Sequence, residues 1–213
     1  MGTITVKSLV DDRLDRLLFD ATQMQWDRDA RVMMLSDAQR AVAVLRPDAY
    51  PVTQTLLLAA GTHQALPPSG IRMGRVTRNM GTDGQTPGRQ IDETPKSVMD
   101  IYPQWQLADE SGEITNWIPD PLDPKIYYVY PPAAAGTYVE VIYPALPDDL
   151  DVSDWDNATI TLADEYAPAL IEYVLFRSYD QLNKVEYAGK ASTHLSRFAM
   201  MLGVTTAQAQ GAV

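Results

Sequence analysis

Cysteine is missing from all 213 residues. That absence excludes a disulfide framework, thiolate zinc sites, iron–sulfur clusters and a cysteine nucleophile, and it leaves the redox compartment open. Histidine is scarce: His63 and His194 are the only two. Neither has a second histidine or a carboxylate at metal-ligand spacing, so each reads as a packed or surface ring. No stretch approaches the roughly 20 apolar residues needed to span a bilayer. The opening Met1-Gly2-Thr3-Ile4-Thr5-Val6-Lys7 lacks the basic-then-apolar pattern of an export signal, so neither export nor a membrane role is expected. Positive charge is also in short supply, with 17 Lys and Arg against 28 Asp and Glu and a net charge of −11. A protein that grips duplex DNA draws most of its affinity from cations neutralising phosphates, so specific DNA binding is not expected.

What is present is a chain that is 46% hydrophobic, long enough for one large domain or two small ones. A chain of this size buries roughly 70% of the surface its unfolded form exposes, so it needs no covalent staple. The excess negative charge is concentrated. Residues 107–165 hold 13 carboxylates and one cation, Lys125, while the remainder is nearly balanced. This middle segment therefore repels polyanions at short range, or simply keeps the protein soluble.

Hydrophobic period divides the chain. Val10, Leu14, Leu17 and Leu18 recur at helical spacing, predicting a helix over 7–20 with Ser8 as N-cap. Leu35, Ala38, Val42 and Leu45 carry a second helix over 27–46, capped by Asp27 and stopped by Pro47. Trp26, just before that cap, is placed to staple onto the Arg31 stem or Val32. After residue 164 the helical period returns with Ile171, Val174, Leu175 and Leu182, and Pro168 sits within its first turn. A break near 183–186 precedes a last helix carrying Ala191, Leu195, Phe198 and Leu202, ended by Gly203.

Between Pro47 and Thr161 the texture changes, because 13 of the 15 prolines fall there. Short β-branched or aromatic runs predict strands at 53–58, 63–66, 71–78, 114–118, 126–130, 137–143 and 159–162. Residues 131–136 join two of these as a hairpin-like connection, residues 81–88 form a long mobile loop, and residues 97–104 form a short helix. The expected fold is α+β: a four-helix bundle formed by the N- and C-terminal helix pairs (1–49 and 163–203), with a β-rich antiparallel insertion (50–162) and a flexible tail (204–213).

Chemistry has no visible carrier. With Asp154 as position 1 of a calcium loop, Asp156 and Glu165 fall at positions 3 and 12, but Thr159 stands where the sharp turn needs glycine and Ala158 offers no side-chain oxygen. Gly81, Gly84 and Gly88 lack the ending of a phosphate cradle, and no Gly-x-Ser-x-Gly occurs. Trp155 between Asp154 and Asp156 keeps a carbohydrate-directed enzyme or binding module as an alternative. No catalytic, cofactor-binding or metal-ligating residue is assigned, and no cofactor is expected. The basic residues Arg72, Arg75, Arg78 and Arg89 make one concentration. They are either a charged edge that discourages strand pairing or a docking patch for the acidic segment of a neighbouring copy.

Several segments together resemble a known family. These are Trp26-Asp27, Leu35-Ser36-Asp37-Ala38-Gln39-Arg40, Leu45-Arg46-Pro47-Asp48-Ala49, Tyr166-Ala167-Pro168-Ala169-Leu170 and Tyr173-Val174-Leu175-Phe176-Arg177-Ser178-Tyr179-Asp180. In this order they resemble the head-to-tail adaptor (connector) proteins of tailed bacteriophages, from about residue 9 to residue 203. The resemblance implies a structural, non-enzymatic protein made in the host bacterial cytoplasm and located in the virion. There it would form a ring, usually of twelve copies, beneath the portal protein, extend the channel for passing double-stranded DNA, and seat tail or nozzle proteins. A head-closure or tail-tube component is the nearest alternative. Under this reading Asp148, Asp149, Asp151, Asp154 and Asp156 line the channel. The tail residues Val204, Thr205, Thr206, Gln208, Gln210 and Val213 become ordered on docking into the portal.

Overall fold

The computed structural model describes residues 2–20, 22, 24–182 and 184–212. The fold is α+β and divides into two compact units, a helical one (1–50 and 146–213) and a β-rich one (51–145). Along the chain run a π-helical segment Ser8–Leu14, α1 Asp15–Leu18, α2 Arg28–Leu45, β1 Pro51–Leu57, β2 Gly61–Ala65, β3 Arg75–Asn79, β4 Asp92–Glu93 and α3 Lys96–Met99. They are followed by β5 Asn116–Pro119, β6 Ile126–Ala133, β7 Tyr138–Pro144, α4 Ala167–Gln181, α5 Val185–Leu202 and α6 Thr206–Gly211. No described helix is long and apolar enough to cross a membrane.

In the helical unit α4 packs against both α2 and α5. The stripes that make this contact are buried: Val32, Leu35 and Val42 on α2, Leu170 and Val174 on α4, Leu195 and Phe198 on α5. Each such side chain contributes roughly 1.5–3 kcal/mol by leaving water. The Tyr173 and Phe198 rings meet edge to face with centroids 5.3 Å apart. Leu9, Val10 and Leu14 of the N-terminal segment complete the same core.

Helix ends follow local chemistry. The Asp27 carboxylate accepts from the Ala30 N–H at 2.8 Å, so α2 starts where its cap predicts. The N-terminal helix is different. The Thr5 hydroxyl, and not that of Ser8, accepts the free amide there, from Ser8 N–H, and the backbone winds as a π-helix before tightening. The α2 terminus is tied down by Arg46, which donates to the Leu202 carbonyl at 3.0 Å and pairs with Asp48 at 2.7 Å. Gly203 ends α5 in the left-handed region at φ 69°, a conformation that glycine adopts freely.

The sequence reading places the insertion boundary at 162, whereas residues 146–162 belong to the helical unit. Two polar side chains buried on α2 hold them there. Ser36 Oγ accepts from Leu150 N–H at 2.9 Å, and Gln39 Oε1 accepts from Thr161 N–H at 2.6 Å. The strand expected at 159–162 is instead one isolated bridge, Thr5 to Thr159. The tail also differs from expectation. Residues 206–211 form α6, fastened by a capping box between Thr205 and Gln208, with Ala209 fully buried against the core.

The β unit has two sheets, ordered β1-β7-β3 and β2-β6-β5-β4. Every pairing is antiparallel except the two-residue match of β4 with β5. The hairpin expected between 126–130 and 137–143 does not form, because β6 and β7 lie in different sheets. Pro131 and Pro132 continue β6 up to Ala133, and only Ala134 to Thr137 is left to turn the chain, with Gly136 at φ 86°. Alternation on β7 buries Val139, Val141 and Tyr143. Asn79, at the end of β3, ties that strand to the segment leading into β5: its amide donates to the Ile114 carbonyl and its oxygen accepts from Ile114 N–H, both at 2.8 Å. The 81–88 segment is a structured turn, in which Asp83 accepts from the N–H groups of Gln85 and Thr86 at 2.9 and 3.0 Å.

Candidate functional site

The basic concentration resolves into two kinds of arginine. All four side chains are exposed in the β unit. Arg75 and Arg78 are three apart and would normally point to opposite faces of a strand. The bulge between Val76 and Arg78 sets them opposite Ile142 and Glu140, which share one face of β7. Arg78 then meets Glu140 at 3.6 Å and Arg89 meets Glu113 at 3.8 Å. Arg72 and Arg75 have no carboxylate within ion-pair distance among the described residues.

The acidic residues do not converge on a point. Asp148, Asp149, Asp151, Asp154 and Asp156 are exposed along the connection that runs over the helical unit. Asp149 pairs with Arg40 at 3.1 Å. Asp151 accepts from the Ser153 hydroxyl and N–H, which hold its carboxyl below the usual range. Asp154 and Asp156 both accept from the Asn157 amide. Among the described residues no group of three or more histidines and carboxylates is arranged to hold a metal ion. Trp155 is half-buried, and the Arg28 guanidinium lies over its ring at 4.5 Å, which occupies the platform a sugar would need.

The C-terminal candidates divide between cap and surface. Val204 packs against the core, Thr205 and Gln208 form the capping box, and Thr206 and Gln210 are exposed on α6. Val213 lies outside the described residues.

Three features escape a reading of the sequence. Arg31 is fully buried and pairs with Asp15 and with Asp20, the latter at 3.1 Å. Burial lowers its pKa, and the nearby charge of Asp11 opposes that shift. Periodicity places this arginine on the helix but cannot show that its partners lie inside the core. Asp20 also accepts from the N–H groups of Met24, Gln25 and Trp26, which folds the connection so that Phe19, at φ 55°, and Met24 stand 95% and 86% exposed. In the β unit Ile101, Tyr102 and Leu107 are likewise exposed. In sequence these apolar residues look like core. A third feature crosses two helices: His194 Nδ1 lies 2.7 Å from Glu172 Oε2, a pair that linear spacing hides.

These surfaces suit contacts with other macromolecules: outward apolar side chains, cations and carboxylates segregated along the chain, and polar clusters engaged in capping. The family model of the SU10 adaptor protein matches residues 4–213. No curated protein matches the chain. The match spans nearly the whole sequence, both units included, and the chain belongs to the SU10 adaptor family of phage head–tail adaptors.

Proposed function

We propose that the chain is one copy of a ring, twelve copies in all, seated beneath the portal at the head–tail interface, where it extends the DNA channel and seats the tail or nozzle proteins. Family membership across residues 4–213 is the observation that carries this reading. The role is structural and needs no cofactor. The protein is made in the host bacterial cytoplasm and works in the virion.

In this reading the N- and C-terminal helix pairs act as one four-helix base toward the portal, and α6 is a preformed docking element for it. The β unit reaches neighbouring copies and tail proteins. Asp148, Asp149, Asp151, Asp154 and Asp156 face the channel. Their exposure supports this, as does the single ion pair among them. A wall of carboxylates repels phosphates and lets duplex DNA slide without a holding site. Arg72 and Arg75, unlike Arg78 and Arg89, keep their charge available for a neighbour's acidic segment, since heterologous ring contacts need two different complementary surfaces.

The test is to mix the purified chain with portal rings and image the product by negative stain. The expected particle is a portal carrying an added collar with an open centre. A chain that stays small in the presence of portal, or that is missing from mature virions, overturns the reading. Salt-sensitive assembly that Arg72→Ala and Arg75→Ala weaken, and that Arg89→Ala leaves unchanged, supports the arginine assignment.

A further inference from the structure

β1 is a sheet edge whose one guard is Pro51 at its first residue; from Val52 to Leu57 it carries none of the usual protections. Its partner β7 takes one set of backbone groups: Leu58 N–H donates to the Thr137 carbonyl at 2.9 Å, and the register runs without a bulge from Pro51 opposite Pro144 to Leu57 opposite Tyr138. On β7 the carbonyls of Tyr138 and Pro144 point the other way, accepting from Met80 and Ile71. Antiparallel ladders alternate, so the even-numbered residues of β1 bond to β7 and the odd-numbered ones face outward. The N–H and C=O groups of Thr53, Thr55 and Leu57 therefore point away from the sheet, and no hydrogen bond reaches them among the described residues.

Every other edge is guarded. The outer side of β3 is covered by its own chain, with Asn79 N–H donating to the Arg89 carbonyl and Ile91 N–H to the Thr77 carbonyl, and it carries Arg75, Arg78 and a bulge. β4 is two residues long and both are acidic. β2 is broken in register between Gly61 and His63. Charge, proline, short length, bulges and covering segments are the devices that prevent edge-to-edge pairing. β1 has seven residues, no bulge and no charge, and none of its residues is buried. It lies inside a stretch from Ala49 to Ile71 that has no Asp, Glu, Lys or Arg at all.

We infer that the outer edge of β1 pairs with an extended segment of a second copy of this chain. The inference rests on the ring reading and adds a contact to it. Charge selects the occupant. The excess negative charge of each copy sits in residues 107–165, whereas 49–71 is uncharged, so a second copy can approach this stretch without like-charge repulsion from it. The bonds are main-chain, so they fix the distance and register of neighbours while asking little of side-chain identity. In a ring the β1 edge meets a different segment of the next copy, since pairing β1 with β1 would close a dimer and stop growth.

The test uses the full chain with and without portal rings. Backbone amide exchange at Thr53, Thr55 and Leu57 is measured in the free chain and in the collar, and assembly is compared with that of Thr55→Pro and Thr53→Lys. Proline at 55 removes an outward N–H and leaves the bonds to β7 in place. Lysine at 53 puts a charge on the edge. The expected result is slowed exchange at all three amides in the collar and about a tenfold drop in assembled fraction for each variant, the size that goes with losing one or two net backbone hydrogen bonds. If the collar forms while these amides exchange as fast as in the free chain, or if both variants assemble like wild type, the edge contact is wrong and the ring stands. If the wild-type chain forms no collar, the ring reading falls and this contact falls with it. Should Thr55→Pro fail to fold, the wild-type exchange data and Thr53→Lys decide the matter.

Discussion

Arg31 Nη2 donates to Asp20 Oδ2 at 3.1 Å within the core of the helical unit, joining the first turn of α2 to the connection that precedes it. The same Asp20 carboxylate gathers three backbone amides, so one buried cation fixes the path of a whole turn. Removing the cation leaves Asp15 and Asp20 buried without it, a situation that costs about 3–5 kcal/mol. Arg31→Met is expected to lower the unfolding free energy by that amount, read as a lower urea midpoint at an unchanged slope. The connection around Phe19 should become the first protease-sensitive site, as measured by limited proteolysis.

The two best-defined turns of the β unit predict an acid response. Backbone N–H groups hold the carboxyls of Asp83 and Asp120 well down, each to about 2, with the Thr86 hydroxyl adding to the first and Lys96 to the second. A carboxyl whose pKa is depressed by folding adds stability that is complete above its unfolded value, near 4, and lost as pH falls through its folded value. Amides of Gln85, Thr86, Leu122 and Asp123 are therefore expected to keep their exchange protection at about pH 4 and lose it toward about pH 2. Asp83→Ala should abolish the protection of Gln85 and Thr86 at every pH and leave that of Leu122 untouched.

Tyr127 on β6 has no exposed surface, and its hydroxyl has no hydrogen-bond partner among the described residues. Burial without a partner pushes the hydroxyl's pKa up. An unsatisfied buried polar group carries a desolvation penalty of about 1–3 kcal/mol. Tyr127→Phe is expected to raise the melting temperature or leave it unchanged. Tyr143→Phe, by contrast, removes a hydroxyl that donates to Gln54 at 2.7 Å and should lower it. Thermal unfolding of the two variants side by side checks both signs.

Several elements governed by local chemistry were legible in the sequence, though the Ser8 cap was not among them. Asp27 capped the helix it was expected to cap, Pro168 fell in a first turn, and Gly203 ended α5, because each acts on its nearest backbone neighbours. Most of what escaped depends on pairs distant in sequence. Ser36 and Gln39 look like ordinary helix-surface polars, yet they reach residues 150 and 161 and draw 146–162 out of the β unit. The expected hairpin failed because strand alternation tells which face is buried but not which sheet is joined. At the candidate surfaces the four arginines could be named from sequence. The bulge that aligns Arg75 with Arg78, and the acids that neutralise Arg78 and Arg89, could not.

The C-terminal residues escaped for a different reason: Thr205-Thr206-Ala207-Gln208 has capping-box spacing, but a run of small uncharged side chains conceals the helix it starts. Thr205 Oγ1 accepts from Gln208 N–H at 3.2 Å, and Gln208 Oε1 accepts from Thr205 N–H at 3.0 Å. The box therefore stands on side chains that composition alone reads as loose. Thr205→Ala removes half of it and is expected to cost about 1 kcal/mol, felt locally as loss of helix and exposure of Ala209. If α6 is the portal-docking element, a preformed helix gains affinity by having little ordering left to do. Thr205→Ala should then weaken portal binding by about tenfold at unchanged global stability, and deletion of residues 204–213 should abolish it. Binding measured by co-sedimentation with portal rings decides this. A deletion variant that binds like wild type removes α6 from the interface and leaves it as a brace on α5.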